Sequence, residues 1–251
     1  MQLGIGKTLF PSWSASLTLV KDNGVDAVSH AAAAVKAGDG GSRLDHAVRA
    51  MTSFDHAIDN TRKLPVQWFV KNVGTYYRGY AIAKQAVTLL VASGIIPGAK
   101  ERVGRQTLLA ARDAFVSGVE AARTERGRYG RHLAGGWLEA TAEDALTAVS
   151  MIDQGGVGRE LLAGINQVRG QVARGKGLDD RLVQGVSQLF DRAGAQLAEL
   201  EAAAARVAPR TGVTGDAYAQ AGELLAQVED AAKLLVSDAD AAGRELERQA
   251  G

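Results

Sequence analysis

The residues best suited to chemistry fall in one run, Arg123-Thr-Glu-Arg-Gly-Arg-Tyr-Gly-Arg-His132. Arg123, Arg126, Arg128 and Arg131 set four guanidinium groups around one aromatic ring, Tyr129. Guanidinium forks hold phosphates through paired hydrogen bonds, and a tyrosine ring stacks on a base. The same set suits anionic lipid headgroups or an acidic protein surface. A solvated loop between two helices accounts for it as well. Protein partners are the first expectation here, anionic lipid the second, and nucleic acid the least favoured.

Other candidate chemistry is sparse. The histidines are His30, His46, His56 and His132. His46 and His56 each follow an aspartate, and ten residues at 100° per residue place them roughly 80° apart around a helix. A helical metal pair needs i, i+4 spacing, and no Glu-x-x-His motif accompanies them. Glu139 and Glu143 stand at i, i+4 beside Asp144, and without a nearby histidine they read as a polar helix face. Leu178-Asp-Asp-Arg181 offers two adjacent carboxylates rather than two one turn apart, so it makes no magnesium site. The chain has no cysteine, which removes thiolate nucleophiles, iron–sulfur clusters and cysteine zinc sites together. No G-x-S-x-G elbow is present. Gly4-Ile-Gly-Lys-Thr8 is too short for a phosphate-binding loop, because the glycine required five residues before Gly6 is Met1. The expectation is a non-enzymatic protein with no catalytic residue, no metal site and no cofactor.

Helices must carry these groups. Aromatic residues are only 5% of the chain and there are four prolines in 251 residues, a balance that favours helix. Residues 1–22 are the exception. The Leu17/Leu19 alternation in Ser14–Val20 predicts a short strand or extended arm, and Asp22-Asn-Gly24 predicts a turn. Val25, Val28, Ala32 and Val35 then make a helical stripe, and Ser42 with Asp45 resembles a capping box for the next helix. Pro65 suits the first turn of a third helix that runs to about Ser93 and ends before Pro97. A fourth spans about 99–126. Beyond the Arg123–His132 loop come helices over Leu138–Ile152 and Val157–Val172. Asp179 caps a long helix after them.

The last helix is the most regular. Tyr218, Ala221, Leu225, Val228, Ala232, Leu235, Ala239, Ala242 and Leu246 step three and four residues alternately. That 3.5-residue period is a coiled-coil seam. Across a short Pro209–Thr214 turn, the preceding helix is its natural antiparallel partner.

The fold expected is all-α, an elongated bundle of seven to nine helices with an extended N-terminal arm and a long heptad-patterned C-terminal helix. Four segments follow: the arm 1–22, a basic helical half 23–122, a basic loop or hinge 123–132, and an acidic Ala-rich half 133–251 containing a coiled-coil-like hairpin over 179–249. Residues 1–132 carry 18 basic and 10 acidic groups, and residues 133–251 carry 11 and 18. Opposite charge on two halves steers an anionic partner, or packs the chain on itself or on its copies.

Function follows from the seam, the split charge and the lack of a catalytic set. The first expectation is a structural or assembly subunit of a larger complex, such as a virion or secretion apparatus. The second is a membrane-active protein that inserts residues 66–99. Trp68, Phe69, Tyr76, Tyr77 and Tyr80 read most simply as the main core of the first half; in this second reading they form an interfacial belt instead, leading into the uncharged Gln85–Ala99. The third is a helical enzyme whose site joins residues distant in sequence, which requires a polar pocket with converging Arg, Glu or His. No secretory signal interrupts this reading, and Gln85–Ala99 is shorter than the roughly 20 residues that span a bilayer. A cytoplasmic or virion-associated location is the default expectation.

Overall fold

The computed structural model describes residues 4–152, 156–207 and 215–251. Among these the chain forms nine helices and no strand. They are α1 (Gly4–Leu9), α2 (Pro11–Lys36), α3 (Gly40–Thr61), α4 (Val73–Ala92), α5 (Ala99–Thr124), α6 (Gly127–Val149), α7 (Val157–Ala173), α8 (Asp180–Ala205) and α9 (Gly215–Ala250), with a single 3₁₀ turn at Val66–Trp68. The chain is an all-α multi-helix bundle. Its accessible surface of 12492 Å² exceeds the about 10,600 Å² of a compact monomer of this mass, in keeping with an elongated shape. Helix α9 alone has 36 residues, about 54 Å at 1.5 Å per residue.

The N-terminal arm is corrected. Residues 4–9 are helical, and α2 begins at Pro11, whose missing N–H costs nothing in a first turn. Leu17, Val20, Gly24, Ala27, Ala31 and Ala34 are all buried. They step 3, 4, 3, 4, 3 along α2, a helical seam that outweighs the local Leu17/Leu19 alternation. The expected Asp22–Gly24 turn is helix for the same reason. Asn23 donates its side-chain amide to the Leu19 carbonyl at 2.9 Å instead of forming a turn. Gly24 is needed for proximity: a Cβ there would lie 2.8 Å from Val236 Cγ2 of α9.

Two further starts move. Asp39, not Ser42, caps α3, accepting the Ser42 N–H at 2.8 Å. Pro65 opens the 3₁₀ turn rather than one long helix, and α4 starts eight residues later. Asp179 caps α8 as expected, accepting from Arg181 and Leu182.

The partner of the α9 seam is also corrected. Eight of its nine residues, Ala221 to Leu246, are buried, but they pack on α2 and α4, while α8 packs on α5 and α7. The 179–249 hairpin therefore does not form, and the expected Pro209–Thr214 turn lies outside the described residues. Both α2 and α9 carry a 3.5-residue seam dominated by alanine and leucine. Small side chains on α2 allow the close approach that the long α9 needs.

Two main cores result. One joins α5, α6, α7 and α8 with Leu19 of α2. The other joins α2, α3 and α4 with α9, extended by a smaller cluster around Leu44, Leu90 and Leu225. Helix α2 contributes to both. The two sequence halves are interleaved, and some of their opposite charges meet within the chain, mostly at its surface. Lys21–Asp240, Lys63–Glu139, Arg102–Glu201, Arg105–Glu201, Arg112–Asp191 and Arg123–Asp180 each pair a cation from the first half with a carboxylate from the second.

Candidate functional site

The arginine run is helix rather than hinge from Gly127 onward, and the fold divides it. Only Glu125 and Arg126 are extended, and Gly127 turns the chain at φ +69°. Tyr129 and Leu133 are buried by α6, which is what converts a charged, glycine-rich run into helix. Arg123 ends α5 and pairs with Asp180 at 2.5 Å. Tyr129 is closed to a stacking base: Lys7 Nζ lies 4.1 Å above its ring, and its hydroxyl is 3.2 Å from Thr18 Oγ1. Lys7, part of the Gly4–Thr8 motif, thus pairs with the core and with Glu125. Arg126 is exposed just before α6.

Arg128 and Arg131 go elsewhere. With His132, Gly135 and Glu139 they form one stripe of α6 that lines a cleft of about 820 Å³. Ser12 and Ser16 of α2, Asn60 of α3, and Asn166 and Arg169 of α7 line it too. A hollow of about 210 Å³ adjoins it, shares Asn60, Lys63 and Glu139, and reaches His56 and Glu143. Sequence reasoning missed Lys63, Asn60 and Arg169, which come from segments far from α6. The α6 stripe itself was legible once the run is read as helix.

Beneath this hollow, α3 and α6 hold buried charge. His56 Nε2 lies 3.5 Å from Asp144 Oδ1. Burial opposes a charged imidazole, but the hydrogen bond and the charge of Asp144 prevail, and the His56 pKa is raised. Burial raises the carboxyl of Asp55 and that of Glu143, with Asp59 adding to each. Tyr80, beside Asp55, is pushed up to about 12, chiefly by burial. Asp144 Oδ2 and Asn60 Oδ1 are buried without a hydrogen-bond partner. The separation expected of His46 and His56 is seen: His46 faces α2, its Nδ1 3.1 Å from that of His30. Among the described residues no three of His, Asp or Glu are grouped to hold a metal ion.

A different surface lies at the start of α4. Val66 is 75% exposed and Val70 58%, with Val73 and Tyr77 also open to solvent. Gln67, Lys71, Arg78, Ala81 and Lys84 are exposed on the same segment. Lys71, Arg78 and Lys84 make no ion pair among the described residues, and no acidic residue occurs from Asn60 to Lys100. Arg62 Nε donates to the Tyr77 hydroxyl at 2.8 Å. The rest of the aromatic group turns inward. Phe69 and Tyr76 meet edge to face in the core, and the Tyr76 hydroxyl donates to Asp238 of α9, which also accepts from Asn72 at 2.7 Å. Further along, Val87, Leu90 and Ile96 are buried. No helix among the described residues is long and apolar enough to cross a membrane. Compared with protein families, with curated proteins and with solved structures, the chain matches none.

Proposed function

We propose that this protein is a non-enzymatic helical bundle that docks peripherally on anionic membrane surfaces through the Val66–Lys84 face. The observation that carries this reading is the pairing of exposed Val66, Val70, Val73 and Tyr77 with Lys71, Arg78 and Lys84, in a 41-residue stretch free of acid. Apolar side chains enter the headgroup boundary while cations meet anionic lipid. Three cations at about 1 kcal/mol each, with two largely exposed valines, supply reversible rather than permanent attachment. Docking of this face needs no unfolding, whereas insertion of all of 66–99 would strip Val87, Leu90 and Ile96 from the core.

An assembly subunit is the second reading, and it uses the same apolar face against a protein. Of the other features that favoured assembly, the α9 seam is buried within one chain, and the complementary halves are paired there in part.

Vesicle co-sedimentation at low ionic strength separates the two. Binding to phosphatidylserine-containing vesicles, little to phosphatidylcholine alone, and loss of binding in Val66→Asp/Val70→Asp and in Lys71→Gln/Arg78→Gln are expected. No binding to anionic vesicles, together with a discrete multimer by light scattering that Val66→Asp/Val70→Asp dissociates, would replace docking with assembly.

A further inference from the structure

Independently of the membrane face, we infer that the α2–α3–α6–α7 cleft is a binding site for a small, multiply charged phosphate compound. Its charge is one-sided. Lys63, Arg128, Arg131 and Arg169 line it, against the single carboxylate of Glu139. Glu139 is already engaged by Lys63 at 2.6 Å. Arg128 and Arg131 make no ion pair among the described residues, and the recorded bond of Arg169 is to the neutral Asn166 at 3.3 Å. Arg102, Arg105, Arg112 and Arg123, by contrast, each pair with a second-half carboxylate. Guanidinium groups that line one cleft without a carboxylate partner offer paired donors to phosphate oxygens.

The second observation is space. Gly135 sits on the α6 stripe, and a Cβ added there would meet nothing within 4 Å. A mid-helix glycine with no packing partner forgoes helix stability, and here it keeps the cleft wide. The volume of about 820 Å³ lies within the usual range of ligand pockets.

The test is calorimetric titration of the full chain with inorganic pyrophosphate and with a sugar bisphosphate, at low and high salt. Binding of both is expected, weaker at high salt. Arg128→Gln/Arg131→Gln should weaken it at least about tenfold, because two charge-assisted contacts are lost. Gly135→Leu, which changes no charge, should weaken it comparably by filling the cleft. Arg192→Gln, in α8 and outside the cleft lining, should leave it within about twofold. Circular dichroism melts establish that each variant is folded. The inference is overturned if neither compound binds, if Gly135→Leu binds like the parent, or if Arg192→Gln loses as much as the double variant. Phosphate chemistry is shared with lipid headgroups, so the titration is repeated with phosphatidate vesicles present. Unchanged affinity is the expected result, and displacement by the vesicles would overturn a soluble ligand in favour of a headgroup.

Discussion

Two glycine-to-alanine substitutions test how tightly this bundle is packed. Gly79 and Gly135 both lie inside long helices, α4 and α6. In a helix interior alanine is favoured over glycine by about 0.8–1.0 kcal/mol. At Gly135 nothing opposes that gain, since the new Cβ meets open space. Gly135→Ala should therefore stabilise the fold by about that amount and raise Tm by about 2–4 °C for a chain this long. At Gly79 the new Cβ would sit 2.6 Å from both the Ala231 Cβ of α9 and the Phe54 Cε1 of α3. Neither neighbour has an escape: alanine has no rotamer to change, and Phe54 is wholly buried. Helix α4 must move off α9, an overpacking cost of about 1–3 kcal/mol. That cost cancels or exceeds the helix gain, so the two variants should differ by about 1–3 kcal/mol with opposite or null sign at Gly79. Urea unfolding followed by circular dichroism, with the parent as reference, reads both. If Gly79→Ala is as stable as Gly135→Ala, the close contact of α4 with α9 is not what holds the second core, and the account of that core fails.

Two other predictions concern charge. Arg102 is three-quarters buried and donates to Asp45 at 2.6 and 2.8 Å and to Glu201 at 3.4 Å, tying α3, α5 and α8 together. Arg102→Ala should destabilise by about 1–3 kcal/mol by leaving Asp45 underpaired; an effect under about 0.3 kcal/mol in urea unfolding would place the pair among ordinary surface bridges. The two histidine sites should give pH slopes of opposite sign. The His30 pKa is lowered, first by burial and then by His46 and Arg49, with Asp113 opposing. Its site should therefore lose stability as pH falls below about 6.5, where the unfolded chain takes the proton more readily. The raised pKa of His56, which faces Asp144, Asp55 and Glu143, stabilises the fold below about 6.5, and that contribution fades as pH rises through the raised value. Relative to the parent, His30→Gln should flatten the acid-side loss and His56→Gln the loss on the alkaline side. Parallel profiles for all three proteins would contradict both assignments.

Much of the helical order was legible because it is local. The Asp179 cap, the end of α4 before Pro97 and the 3.5-residue seam of α9 all act over a few residues. Where strand, turn and loop signals fail, a local signal is overridden by burial. Leu17/Leu19 and Asp22–Gly24 suggest strand and turn, yet Leu17, Val20, Gly24 and Ala27 face α9 and α3 at helical spacing. Glycine and arginine at 123–132 suggest a loop, yet burial of Tyr129 and Leu133 draws it into α6. The membrane reading separated in the same way, with Val66 and Val70 outside and Leu90 inside.

What the sequence by itself determined is the all-α class, the approximate helix ends, the absence of cysteine chemistry and the existence of two complementary charge sets. Those follow from composition and from periods of three to four residues. Tertiary structure alone decided that the α9 seam meets α2 and α4 rather than α8, because a seam of alanine and leucine specifies a helix partner but not which one. It decided that Lys21, Lys63, Arg102, Arg105, Arg112 and Arg123 meet second-half carboxylates within the chain. It also decided that Arg128 and Arg131 share a cleft with Lys63, Asn60 and Arg169, since only the folded chain brings side chains more than a hundred residues apart to one surface.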